Sequence, residues 1–158
     1  RMFNCGTGVT TFTVTPYGKM NFCNEINYPG YDILAEGALK CWEKLKKEIL
    51  EKYLNVVQFG KGIFGIKRAS EFYFKKQPSQ LNVTEAAFLA MVLPNPEKYA
   101  RSYYIKDLTP YARKRISRIV ALMNKYGRIS DESFQSSQSE IAVFLKTGKD
   151  KILFILRT

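Results

Sequence analysis

The sequence contains no histidine, and this absence excludes several kinds of chemistry. Ser-His-Asp and Cys-His catalysis both need an imidazole, and so do many metal sites. The three cysteines, Cys5, Cys23 and Cys41, are too few for a disulfide framework. No run of about 18 apolar residues exists, so we expect no transmembrane helix. No apolar segment follows Arg1 as a signal peptide would require, and the missing start Met favours a piece of a longer protein.

Positive charge is concentrated in the middle of the chain. The 158 residues carry a net charge of +11. Residues 1–40 and 129–158 each balance to zero, whereas residues 41–128 hold eighteen Lys/Arg and seven Asp/Glu. A basic segment between neutral ends predicts an anionic partner: nucleic acid, an anionic membrane surface or a phosphate-bearing substrate. Solubility alone is the simpler interpretation of the same charge.

Both ends of the chain are predicted to form β-hairpins. Residues 9–24 alternate Thr with apolar side chains and place Pro16 and Gly18 in a turn, which predicts a hairpin. Residues 140–158 predict a second hairpin around Gly148. The sequence between them has helical periodicity, so the predicted fold class is mainly α (α+β).

Periodicity and capping signals place the helices of the centre. A helix over about residues 36–55 repeats apolar residues at steps of three and four, which puts them on one face. These residues are Leu39, Trp42, Leu45, Ile49 and Tyr53. Asn82 with Glu85 predicts a capping box before a buried helix, and Thr109 predicts the cap of a further one.

The segment after the first long helix combines glycines, aromatic residues and cations. From Tyr53 to Lys76 it reads YLNVVQFGKGIFGIKRASEFYFKK, with five Lys/Arg against one acid. Together with the four residues before it, Ile49 to Lys52, this segment resembles a signature of the family 51 peptidoglycan glycosyltransferases. That signature reads I-L-E-x-Y-L-N, then two glycines five residues apart, an Ala, and Y-F-G-K. Lys75 departs from it, because the family usually has Gly there. The matching residues are Ile49, Leu50, Glu51, Tyr53, Leu54, Asn55, Gly60, Gly65, Ala69, Tyr73, Phe74 and Lys76.

A second signature of that family follows at the right separation. L-x-x-x-E-A-A-x-L-A followed by P-x-x-Y is similar to residues 81–99, and VLPNPEKY looks most like the monofunctional branch. The matching residues are Leu81, Glu85, Ala86, Ala87, Leu89, Ala90, Pro96 and Tyr99. The resemblance covers about residues 45–135, including the helix YARKRISRIVALMNKYGRIS. It implies a helical, lysozyme-like glycosyltransferase portion.

The resemblance also implies a substrate and a location. The family polymerises lipid II, a disaccharide-peptide on a polyprenyl pyrophosphate, into glycan strands by inverting transfer. We therefore expect lipid II or an anionic membrane surface as partner, a divalent cation (Mg or Mn) at the leaving group, and a place in the bacterial cell envelope, peripheral to the inner membrane. Lys and Arg suit a pyrophosphate, and an apolar groove suits a lipid. The predicted substrate-binding residues are Glu51, Asn55, Lys61, Lys67, Arg68, Lys76 and Arg113.

The catalytic motifs of that family are missing from the chain. Its general base is the Glu of E-D-x-x-F-x-x-H-x-G, which a chain without His cannot hold intact. G-x-S-T-I-T-Q-Q is also absent, and YDILAEGALK, with Glu36 as the nearest acid, lies where R-K-x-x-E is expected. Whether the chain is an enzyme therefore stays open, with Glu51 a weak candidate for the base. A missing N-terminal part on another chain is one candidate partner.

Many of the matched residues also have a structural interpretation. Predicted core residues are Tyr53, Leu54, Tyr73, Phe74, Leu89 and Ala90. Gly60 and Gly65 fit turns. Glu51 and Asn55 share a helical face, where capping or hydrogen bonding to the next loop is as good an interpretation as substrate orientation.

Residues 5–48 resemble a different family. Cys5, Gly18 and Cys23 fit the C-x(9–15)-G-x4-C of the SPASM extension of radical-SAM maturation enzymes, which presents thiolates to an auxiliary iron–sulfur cluster. The other cysteine motifs of that family are absent, and Cys41 is predicted to be a buried thiol. This alternative implies a cytoplasmic fragment of a peptide-modifying enzyme, with Cys5 and Cys23 as metal ligands.

A third hypothesis is a basic helical module that binds nucleic acid. It rests on RSYYIKDLTPYARKRISR, where aromatic residues lie between cations. This pattern is not strong support for a nucleic-acid partner.

The predicted organisation is a SPASM-like hairpin and helix start over residues 1–44, a glycosyltransferase-like helical region over 45–135, and a C-terminal hairpin or tail over 136–158. Two half-domains that meet near residue 45 indicate a chimeric, truncated or artificially generated chain.

Overall fold

Helices make up most of the residues 12–21 and 30–146, which the computed structural model describes. The helices are α1 (Ile33–Glu36), α2 (Ala38–Val56), α3 (Ile66–Phe74), α4 (Val83–Val92), α5 (Pro96–Tyr99), α6 (Arg101–Tyr104), α7 (Pro110–Lys125) and α8 (Asp131–Val143). The strands are β1 (Thr13–Val14), β2 (Lys19–Asn21), β3 (Tyr31–Asp32), β4 (Gln58–Gly60) and β5 (Ile63–Phe64). These elements confirm the predicted mainly α class with small β elements.

The chain divides into two compact units, residues 1–54 and residues 55–158. The division falls near the end of α2. The sequence-based boundary near residue 45 lies inside the same helix.

The N-terminal unit contains a three-stranded antiparallel sheet in the order β1-β2-β3. β1 and β2 form the predicted hairpin, with Gly18 at a φ of 73° in the turn. Residues 9–11 and 22–24 of that prediction lie outside the described residues. Met20 of β2 packs with Cys41 and Leu45 of α2 in a buried cluster. The prediction that Cys41 is a buried thiol is confirmed, and its Sγ donates to the carbonyl oxygen of Asp32 at 3.4 Å.

The inner face of α2 differs from the predicted one. Leu39 is 83% exposed, although its spacing placed it with the core residues. The buried face is centred on Cys41 and Leu45, and residues two apart on a helix point about 200° apart, so Leu39 faces solvent. Tyr53 and Ala90 are exposed as well and do not belong to the core. Among the other predicted core residues, Tyr73 and Leu89 are buried, and Leu54 and Phe74 are half-buried.

Helix α4 lies at the centre of the C-terminal unit. Its buried residues are Thr84, Glu85, Ala87, Phe88, Leu89, Met91 and Val92. It packs against α7, α8 and β4, so the prediction of a buried, nearly apolar helix is confirmed. Phe88 lies 5.6 Å from Tyr73 and 5.8 Å from Phe144 between ring centroids. Each large side chain buried in this way contributes about 2 kcal/mol to stability.

A polar network ties the start of α4 to its neighbours. The predicted capping box is present: the Asn82 side chain accepts from the Glu85 amide at 2.8 Å, and Glu85 Oε2 accepts from the Asn82 amide at 2.9 Å. Lys76 Nζ, just after α3, donates to both Glu85 oxygens at 2.8 and 3.0 Å. Glu140 of α8 accepts from Asn82 Nδ2 at 2.9 Å and from Thr84 Oγ1 at 2.7 Å.

The sequence predicted for the second hairpin begins inside a helix. Residues 140–143 complete α8, whereas the sequence-based prediction placed them in the hairpin. Ile141 is buried and Glu140 binds the start of α4, and these contacts hold the segment in helical geometry. Residues 147–158 of the hairpin prediction lie outside the described residues.

Two glycine positions fix the loop between α2 and α3. Gly65 has a φ of 80°, and its amide donates to the carbonyl oxygen of Val57 at 2.9 Å. A Cβ at Gly65 would lie 2.6 Å from the backbone oxygen of Asn55. A Cβ at Gly60 would lie 2.7 Å from the Tyr73 hydroxyl, which donates to the carbonyl oxygen of Phe59. The predicted role of both glycines as backbone devices is consistent with this geometry.

The helices that the structure describes include none with the length and apolar character needed to cross a bilayer.

We expect Glu85→Ala to lower the free energy of unfolding by about 3 kcal/mol, because it removes a capping acceptor and leaves Lys76 without its buried partner. Urea unfolding followed by circular dichroism measures this change. Glu132→Ala, at an exposed position in α8, is the control and is expected to cost less than about 0.5 kcal/mol. Equal effects of the two substitutions would show that the Glu85 network is not important for stability.

We expect Gly65→Ala to destabilise the protein by about 3 kcal/mol, since it combines a positive φ with a backbone clash. Gly62→Ala is the matched control: Gly62 has a φ of 73°, but nothing lies within 4 Å of the position that a Cβ would take there, so strain alone costs about 1 kcal/mol. Thermal unfolding of both variants tests the difference. A Gly65→Ala variant as stable as Gly62→Ala would contradict the close approach to Asn55.

Candidate functional site

A groove at the junction of α2, β5 and α3 collects several of the predicted substrate-binding residues. It has a volume of about 380 Å³. Asn55, Lys67 and Arg68 line it, and all three were predicted from the sequence. The remaining lining residues are Phe64, Gly65, Glu71 and Gln77. We call this site the anion groove.

The backbone around Gly65 brings these side chains together. Gly65 is the N-cap of α3 and lies directly against the Asn55 carbonyl, so the end of α2 and the start of α3 meet at one point. Lys67 and Arg68 then project from the first turn of α3. The groove depends on glycine at position 65, because only glycine permits both the positive φ of Gly65 and its close approach to the Asn55 carbonyl.

The electrostatics of the groove favour an anion. The first turn of α3 contains no acidic residue, although acids are favoured at helix N-termini. Gly65 offers no side-chain acceptor to the first amides of the helix. Lys67 and Arg68 therefore line the groove at the end of α3 where the helix dipole is positive, and a phosphate is a natural ligand at such a place. Glu71, one turn after Lys67, is the one carboxylate among the lining residues.

Phe64, Glu71 and Gln77 are groove residues that the sequence analysis did not name. Phe64 is 55% exposed and presents an aromatic surface beside the cations. Glu71 is the one acid beside five cations between residues 53 and 76, and this isolation in the sequence could have marked it as a candidate site residue. Gln77 follows the left-handed residue Lys75, whose φ of 57° turns the chain back after α3. The glycine that the family usually has at position 75 was an available signal for this left-handed turn.

The other predicted binding residues lie elsewhere or have structural partners. Lys61 is exposed in the turn between β4 and β5, and Glu51 is exposed on α2 in the N-terminal unit. Lys76 is bound to Glu85. Arg113 donates to the carbonyl oxygens of Ile141 and Ala142 at 3.2 and 3.3 Å and lies 3.6 Å from Asp107. Substrate binding by these four residues stays a prediction.

The described residues do not bring together three or more Cys, Asp or Glu side chains that could hold a metal ion. Cys5 and Cys23, the ligands expected from the SPASM resemblance, lie outside the described residues. In the anion groove, Glu71 alone is not a protein site for a divalent cation.

The comparisons with known proteins agree with the first resemblance. The transglycosylase family model matches residues 38–124. A biosynthetic peptidoglycan transglycosylase from Salmonella arizonae is 46% identical over 103 residues, which are 65% of this chain and 39% of that protein. One from Marinomonas sp. is 43% identical over 94 residues, which are 60% of this chain and 39% of that protein. The chain thus spans about two fifths of the length of these curated relatives.

A solved structure shows the same fold. The crystal structure of penicillin-binding protein 1A from Haemophilus influenzae superposes with a TM-score of 0.52 at 28% sequence identity. The superposition covers 60% of this chain and 14% of that one. None of these findings supports the SPASM or the nucleic-acid alternative. The family match extends over more than half of the residues and includes Asn55, Lys67 and Arg68, and the chain therefore belongs to the transglycosylase family.

Proposed function

We propose that this chain is the lipid II-binding portion of a peptidoglycan glycosyltransferase and that the anion groove holds the pyrophosphate of the substrate. The observation that carries the proposal is the convergence of Asn55, Lys67 and Arg68 on one groove inside the family match. These residues lie on two helices and come together only through the fold.

The charge of the groove fits a pyrophosphate better than a neutral sugar. Lys67 and Arg68 lie in the first turn of α3, where they repel one another and the helix dipole in the free protein. A bound pyrophosphate removes this repulsion and accepts charge-assisted hydrogen bonds from both side chains. The amide of Asn55 supplies both a donor and an acceptor for the sugar or phosphate oxygens next to the charge.

The same arrangement has room for the lipid and the cation. The exposed ring of Phe64 lines the groove and offers an apolar surface to the first polyprenyl unit. A divalent cation, expected from the family resemblance, would arrive bound to the pyrophosphate, since the groove itself contributes the single carboxylate of Glu71. The residues of this chain bind and orient the substrate, and no chemical step is assigned to the cation.

The family resemblance implies that catalysis requires a general base in a motif that this sequence does not contain. The family resemblance puts that base in a motif with a histidine, and the sequence has no histidine. Curated relatives are more than twice as long as the segment they share with this chain. We therefore propose that the missing motif is supplied from outside this segment, by a further part of the same protein or by another chain, at the cell envelope, where lipid II is consumed.

We expect Lys67→Gln and Arg68→Gln each to weaken the binding of a water-soluble, short-chain lipid II about tenfold, because each removes a charge-assisted contact with the pyrophosphate. Lys125→Gln removes the same charge at the far end of α7 and is expected to change the dissociation constant less than about twofold. Fluorescence anisotropy of labelled substrate measures the dissociation constants of the parent protein and the three variants. Equal, small effects of the three substitutions would place the substrate outside the groove.

We expect the chain alone to form no glycan polymer from lipid II with Mg²⁺ or Mn²⁺ over a time in which a full-length relative completes the reaction. Gel analysis of labelled products measures this. Polymer that disappears in Glu51→Gln would contradict the proposal, since it would make Glu51 the general base. Binding without polymer, with a normal anisotropy titration, is the expected outcome.

A further inference from the structure

The C-terminal unit holds a second cavity, lined by residues from the end of α4, the short helices α5 and α6, and the start of α7. Its volume is about 340 Å³, and it shares no lining residue with the anion groove. Met91 and Ala112, which are 1% and 2% exposed, line its inner part. A volume of this size is within the range of small-molecule sites.

Two tyrosines form one wall of the cavity. The rings of Tyr99 and Tyr111 stack with centroids 5.1 Å apart and planes inclined by 22°. A hydrogen bond with Tyr99, together with partial burial, raises the pKa of the Tyr111 hydroxyl. Tyr111 is 51% exposed, so this wall extends from the buried interior to solvent. Tyrosine suits such a boundary because it has an apolar ring and a polar tip.

The charged residues that line the cavity are both cations. Lys98 and Arg101 are exposed, and no Asp or Glu is among the lining residues. Within the described residues, neither side chain forms an ion pair. Lys98 Nζ lies 5.9 Å from the centre of the Tyr99 ring. An apolar interior below two available cations fits a ligand with an apolar body and an anionic head.

We propose that this cavity binds a small anionic amphiphile, with its apolar chain against Met91 and Ala112 and its phosphate or carboxylate head between Lys98 and Arg101. A cavity of about 340 Å³ is within the size range of small-molecule sites, which suits a head group with a short alkyl chain. Buried Ser102, whose Oγ already accepts from the Thr109 amide at 3.3 Å, closes the cavity as part of the fold. This proposal is independent of lipid II.

Isothermal titration of the whole chain with octyl phosphate, below its micelle concentration, tests the proposal. We expect saturable binding that Arg101→Gln weakens about tenfold and Lys125→Gln changes less than about twofold. Inorganic phosphate lacks the chain and octyl glucoside lacks the charge, so each is expected to bind at least about tenfold more weakly. Arg101 is exposed, so its variant is expected to keep the parent circular dichroism spectrum.

Three outcomes would overturn the proposal. The first is no saturable binding of octyl phosphate, and the second is an equal effect of Arg101→Gln and Lys125→Gln on its dissociation constant. The third is a loss of octyl phosphate binding in Arg68→Gln but not in Arg101→Gln, which would place the ligand in the anion groove. The source of the ligand is distinguished by flotation with vesicles of phosphatidylglycerol. If the ligand is a bilayer lipid, Arg101→Gln weakens the binding of octyl phosphate and of the vesicles. If the ligand is a free amphiphile, Arg101→Gln weakens the binding of octyl phosphate and leaves vesicle binding unchanged. A failed lipid II titration leaves these results unaffected.

Discussion

The C-terminal unit depends on one nearly buried carboxylate, Glu85. Its two oxygens accept from Lys76 after α3 and from the amide that begins α4, while Asn82 links the same cap to Glu140 of α8. Three helices are thus oriented around a single helix start. The apolar face of α4 then packs against α7, and residues such as Ile116 and Val120 become buried. Because a carboxylate is costly to bury alone, the geometry of these partners is strictly constrained.

This arrangement explains how the described part of the C-terminal unit has a core of its own. The residues from 55 onward include the central helix α4 together with the helices that cover it, α7 and α8. The anion groove lies at the edge of this core, on the loop held by Gly65. The residues that line the groove are therefore supported by local packing, whereas the histidine-containing motif expected from the family resemblance is absent from the sequence. Under the proposed function, substrate binding and proton transfer would come from different segments.

Sequence patterns predicted the features that depend on neighbouring residues. The capping box at Asn82, the N-cap Thr109 and the buried α4 are set by local hydrogen bonds and composition, and all are confirmed. The patterns failed where tertiary packing decides. Leu39 fits the period of α2 but lies outside its buried face. Residues 140–143 were predicted to lie in a hairpin but complete α8, where Ile141 is buried and Glu140 binds the start of α4. Asn55 was predicted from the family motif, and Lys67 and Arg68 were predicted from their charge and from the pyrophosphate that the resemblance implies. Spacing alone does not show that Gln77 or Phe64 joins them.

The placement of Lys67 and Arg68 has a consequence for folding thermodynamics. Cations in the first turn of α3 destabilise that helix in the free protein, and an anion in the groove removes this penalty. By linkage, a ligand that binds only the folded protein raises its free energy of unfolding, and the increase grows with the affinity and concentration of the ligand. The glycine loop and α3 are therefore expected to exchange their amide protons more slowly when the groove is occupied. A pyrophosphate bound as proposed would thus stabilise the helix whose first turn binds it.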